Sequence, residues 1–173
     1  MKTIFKPLVV LILGLSLVGC NDDNASPTSP SATAEQFTAR LLPSNEVPPI
    51  ANTENTGSAT ATITFNVTKD SAGSITGATA DFTVTASGFP SGTTLTRAHI
   101  HTGAAGTNGG IVVNLGLADG EVVFASGGGS FTKNGVALTI DQANAIIANP
   151  AGFYLNIHTA RNPDGVARGQ LSR

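Results

Sequence analysis

The chain of 173 residues is poor in the groups that most often carry chemistry or crosslinks. It has one cysteine, no tryptophan, one tyrosine and three histidines, and only 12% of its residues are charged. A single cysteine excludes an internal disulfide framework, so any fold must rest on its own core. No Gly-x-Ser-x-Gly segment is present, and none of Asp81, Asp119 or Asp164 has a spacing that singles it out, which argues against a serine hydrolase. The glycine-rich stretch 103–110 has no following helix or phosphate-loop lysine, so a nucleotide cradle is excluded as well. Few basic residues and a net negative charge argue against nucleic acid as a partner.

The cysteine sits where its position has meaning. Lys2 and Lys6 form a positive start, the apolar run Leu8 to Leu17 is short for a membrane span, and Leu17-Val18-Gly19-Cys20 follows. This order resembles a bacterial lipoprotein signal, with residues 1–19 the signal peptide and Cys20 the lipidated anchor. A membrane is then the first partner, and the protein belongs on the extracytoplasmic side of a bacterial envelope. Asn21 after the cysteine favours the outer membrane by its resemblance to enterobacterial sorting signals. Residues 20–34 are rich in Asn, Ser, Pro, Thr and Ala and read as a disordered tether. Removing Lys2 and Lys6 leaves seven basic residues against eleven acidic ones, a formal charge of −4. Residues 35–173 make one domain of ordinary size, expected to be a monomer.

Period-two alternation dominates that domain. Ala59, Ala61, Ile63, Phe65 and Val67 alternate with polar residues, and after a turn at Asp70 to Gly73 so do Ala80, Phe82, Val84 and Ala86. Further strands are expected at Phe37 to Leu42, Leu95 to His101, Ile111 to Leu115, Glu121 to Ala125, Phe153 to Thr159 and Val166 to Leu171. Eight short strands imply a sandwich or barrel. One helix is expected after Thr139, which can form a capping box with Gln142; Ala143, Ile146 and Ile147 supply its apolar stripe, and Asn149-Pro150 ends it. Such a helix should plug an end or edge of the sheet pair.

The three histidines fall in two of these strands, in Ala98-His99-Ile100-His101 and Asn156-Ile157-His158-Thr159. His99 and His101 share a strand face, and His158 joins them if the strands pair. Three imidazoles can hold copper or zinc with an open position, or can form a packed, neutral hydrogen-bonded cluster. A histidine pair before a glycine-rich loop also resembles Cu,Zn superoxide dismutase, but a bridged site needs more histidines than three. Superoxide chemistry is therefore not expected.

Four motifs in order carry a family resemblance. Leu42-Pro43-Ser44-Asn45-Glu46-Val47-Pro48-Pro49, Arg97-Ala98-His99-Ile100-His101-Thr102-Gly103, Tyr154-Leu155-Asn156-Ile157-His158-Thr159, and Asn162-Pro163-Asp164-Gly165 with Arg168-Gly169-Gln170-Leu171 together resemble the CHRD domain, the module repeated in chordin. The resemblance spans Phe37 to Leu171. It implies an immunoglobulin-like, Greek-key antiparallel β-sandwich with no established enzymatic activity. Within the motifs, Asn45, Glu46, Pro48 and Pro49 form a rigid crossover, and Glu46 pairs with a base such as Arg168 or caps backbone amides. Arg97, Asn156 and Arg168 are the remaining polar motif residues, and an arginine beside the histidines would hold the rings neutral. Two functions follow. One is a non-enzymatic, membrane-tethered binding or structural module that engages an envelope protein or glycan. The other is a copper- or zinc-binding protein built on His99, His101 and His158.

Overall fold

The computed structural model describes residues 30–173. The expected signal peptide, Cys20 and the expected tether up to residue 29 lie outside the described residues. Two antiparallel sheets face one another. The first has the order β1 (Ser31–Leu41), β2 (Ser58–Lys69), β3 (Ile75–Ser87) and β7 (Gly129–Leu138). The second has the order β5 (Ile111–Asn114), β4 (Thr93–Thr102), β8 (Phe153–Thr159) and β9 (Ala167–Gln170), with β6 (Val122–Phe124) pairing the first residues of β4. The sandwich is all-β, as expected, and its one α-helix is α1 (Ile140–Ala148).

The core lies between the sheets, where alternation sends one face of each strand inward. Phe37, Ile63, Phe65 and Phe82 from the first sheet meet Leu95, Ile100, Leu155 and Ile157 from the second, all fully buried. Each contributes about 1.5–3 kcal/mol by leaving water. Phe37 and Phe65 meet edge to face at 5.1 Å. The sheets also touch along one edge, where Thr38 of β1 bridges Ser172 just past β9, and Leu42 just past β1 bridges Arg168 of β9. A Cβ on Gly169 would stand 2.1 Å from the Arg40 carbonyl oxygen, so only glycine permits this approach.

The helix is capped as its sequence indicates. Thr139 accepts from the Gln142 backbone amide and Gln142 reaches back to Thr139. Ala143 and Ile146 are buried, and the helix packs against β3 in the connection from β7 to β8.

Two expectations need correction. The first strand starts at Ser31, not Phe37, because Ser31 to Ala34 pair with Lys69 to Asn66 of β2. Their side chains are exposed, so they carry no apolar signature; the pairing is made by backbone groups alone. The second is β7, a ninth strand that the pattern concealed. It carries a bulge, since Ala80 opposes Val136 while Phe82 opposes Lys133, and Gly135 within it adopts φ +66° and donates its N–H to Asp81. That extra residue interrupts the alternation.

Candidate functional site

The outer face of the second sheet holds the site. Antiparallel register sets Arg97 opposite His158, His99 opposite Asn156 and His101 opposite Tyr154, with Arg168 of β9 opposite Asn156. One-sided sheets usually leave this row in water. Here His99, His101, His158, Asn156 and Arg168 are all buried, with exposures of 2–8%. Three loops roof them: the crossover after β1, the glycine-rich loop after β4 and residues 160–165.

Arg168 ties two of these loops to the sheet. Its Nε donates to the Asn45 carbonyl at 2.6 Å, its Nη1 donates to the Thr107 carbonyl and to Asn108 Oδ1, and its guanidinium stacks over Tyr154 at 4.7 Å. Asn45 returns a bond from its side-chain amide to the Arg168 carbonyl at 3.0 Å. Glu46 meets Arg168 only at 3.9 Å, because the arginine's nearest nitrogen is already given to a carbonyl. Burial therefore prevails over the arginine, and the Glu46 carboxyl is pushed up to about 7. Pro48 and Pro49 line a cavity of about 560 Å³ together with Glu46, His101, Asn156 and the 161–165 loop.

The three histidines converge. One ligating nitrogen from each lies within 4.8 Å of the others. His99 Nδ1 and His158 Nε2 are 3.2 Å apart. His101 Nδ1 faces the Gly109 carbonyl and His158 Nδ1 faces the Pro163 carbonyl, each at 3.0 Å. A carbonyl only accepts, so both Nδ1 atoms carry the proton and both Nε2 atoms are acceptors. His99 then donates from Nδ1 to His158 Nε2. His101 Nε2 is buried and has no partner.

Burial, followed by the neighbouring positive charges, keeps the rings neutral. His99 and His158 fall from 6.5 to about 4, and His101 falls in the same direction. Arg97 adds to the fall at His99 and His158, as the sequence suggested, but it is a smaller cause than burial. Its guanidinium is held by the Pro163 carbonyl at 3.1 Å.

These rings meet the demands of a transition-metal ligand set. They are neutral, they share one face, and two carry the hydrogen bond from the far ring nitrogen that orients metal-bound histidines. Ligands at about 2.0–2.1 Å from a tetrahedral ion stand about 3.3 Å apart; the 3.2 Å His99–His158 spacing is close to this, whereas the set as a whole spreads to 4.8 Å, so the rings would have to draw together around an ion. Binding would move the His99 proton from Nδ1 to Nε2.

Several contributors lay beyond sequence reasoning. The Gly109 and Pro163 carbonyls carry no side-chain signature. Glu54 is buried and accepts from Thr159 Oγ1 at 2.8 Å and from Asn162 Nδ2, which pins the loop that holds His158. Tyr154 stacks flat on His101, with centroids 5.0 Å apart and planes 6° from parallel. Its place opposite His101 was readable from strand register once the pairing was known.

The family model of the CHRD domain matches residues 37–171. The chain belongs to the CHRD domain family. All the motif residues named above, from Asn45 to Arg168, fall inside the match. Membership points to a binding or structural module rather than to an enzyme. No curated protein and no solved structure matches this CHRD chain.

Proposed function

We propose that this CHRD protein is a lipid-anchored, extracytoplasmic binding module of a bacterial envelope, and that its bound ligand is a copper or zinc ion held by His99, His101 and His158. Cys20 is the anchor, which gives the protein a membrane as its standing partner, and Asn21 after it favours the outer membrane. Engagement of an envelope protein or glycan by the loops is the companion reading for a module of this kind.

One observation carries the metal assignment over a merely packed cluster. Structural histidines satisfy their ring nitrogens, and buried polar atoms without partners are rare. His101 Nε2 is nevertheless buried and unpartnered beside two other imidazoles, with its lone pair fixed by the bond that its Nδ1 makes to Gly109. Neutral rings of lowered basicity favour the ion further, since little proton competes for the nitrogens.

Thermal unfolding of the full chain with Cu²⁺ or Zn²⁺ tests this. An ion that binds only the folded state stabilises it by about 2.7 kcal/mol at a hundredfold excess over Kd. The unfolding midpoint should rise with free metal and stay unchanged in the His99→Ala/His101→Ala/His158→Ala variant. No shift in the wild type would refute the assignment.

A further inference from the structure

His101 Nε2 is not the site's only buried atom without a partner. Glu46 Oε1 and Asn156 Oδ1 are buried and unpaired as well. Both side chains line the same cavity as His101. Both oxygens lie 2.8 Å from the point that a Cβ on Gly165 would occupy, with Asn156 Nδ2 at 2.4 Å, so the carboxylate and the amide sit side by side against Gly165. The fourth such atom in this region, Arg168 Nη2, is a donor.

The three acceptors together define their ligand. Two oxygens call for hydrogen-bond donors, and the nitrogen calls for an electron-pair acceptor. The cluster of candidate ligands consists of His99, His101 and His158, and Glu46 is not part of it. A water on such an ion carries the matching groups. Its lone pair goes to the metal and its two O–H groups go to the carboxylate and the amide oxygen, leaving none of the three acceptors unsatisfied.

Resting on the metal assignment above, we propose that the fourth coordination position is held by an exchangeable water, positioned by Glu46 and Asn156, and that it opens onto the cavity of about 560 Å³ beneath Val47 to Pro49. The cavity is larger than one water requires. Its position admits small anions that displace the water and bind the ion directly, at the cost of approaching the Glu46 carboxylate.

The test uses the full chain loaded with Cu²⁺, and reads the copper-to-protein ratio, the relaxation of solvent water protons and the charge-transfer band of added azide. The wild type should hold one copper per chain, relax solvent protons faster than a copper site closed by four protein ligands, and develop the azide band. Glu46→Gln should keep the copper ratio and bind azide about tenfold more tightly, equivalent to about 1.4 kcal/mol, because the neutral amide no longer repels the anion. Bound copper with no fast relaxation and no azide band would overturn the open position. Equal azide affinity in the two proteins would overturn the role of Glu46. A wild type that binds no copper removes the metal assignment itself, and this proposal with it.

Discussion

The acid response of the metal-free domain exposes the site's electrostatics, because its titrating groups pull in opposite directions. His99 and His158 protonate at 6.5 in the unfolded chain and at about 4 in the folded one. The unfolded state therefore binds more protons over that interval, and stability falls as pH falls below 6.5. Down to about pH 5, above the range of ordinary carboxylates, each ring costs at most about 2 kcal/mol. Water reaching the cavity side and the bond shared by the two rings reduce this to about 1 kcal/mol each. His101 shifts in the same direction and adds to the loss. Glu46 runs the other way. Its carboxyl rises from 4.5 to about 7 on folding, so the folded state takes up the extra proton, and its contribution is present at low pH and lost as pH rises through 7. Screened in the same manner, it offsets about 1 kcal/mol of the histidine loss. Urea unfolding followed by circular dichroism at about pH 7.5 and about pH 5, in chelator, should show a loss of about 1 kcal/mol in the wild type and about 2 kcal/mol in Glu46→Gln. In the triple histidine variant the sign should reverse, to a gain on acidification. A flat wild-type profile that Glu46→Gln does not steepen, or a triple variant that still loses stability, would refute this reasoning.

Other outcomes follow from single contacts. Cys20→Ser should move the protein from the membrane to the soluble fraction without altering its unfolding midpoint, and a variant that still pellets after a salt wash would remove the anchor. Gly169→Ala should destabilise the domain by more than about 2 kcal/mol, because its methyl would strike the Arg40 carbonyl where the two sheets meet. Glu54→Ala should cost about 1–3 kcal/mol by removing the acceptor of the Thr159 hydroxyl and the Asn162 amide, and should weaken Zn²⁺ binding through the loosened Pro163 carbonyl; calorimetric titration with Zn²⁺ reads the second effect.

Much of the architecture is legible in side-chain alternation. The β8 strand has the bounds expected from the sequence, and the long β2–β3 hairpin follows the run of Ala59 to Val67 and its return. The Thr139–Gln142 capping box marks the start of α1. Backbone-made features left no such trace. Ser31 to Ala34 pair through main-chain groups while their side chains face water, and the Gly135 bulge breaks the rhythm of β7. At the site, period two put His99 and His101 on one face, and the pairing of β4 with β8 brings His158 to the same face. It could not show that this face is roofed, since the cover comes from loops packed far along the chain and held by Arg168 and Glu54. Nor could it show the Gly109 and Pro163 carbonyls that set the ring tautomers, because every residue offers a carbonyl and only the fold selects which one is used. The orphaned nitrogen of His101 is likewise a property of packing.

Metal content of the full-length protein, expressed without a histidine tag and measured by elemental analysis, tests the central claim most directly. One copper or zinc ion per chain is expected, absent from the His99→Ala/His101→Ala/His158→Ala variant that retains the β-sheet circular dichroism of the wild type. A wild type without metal after growth in copper and zinc, or a triple variant that carries as much as the wild type, would contradict it.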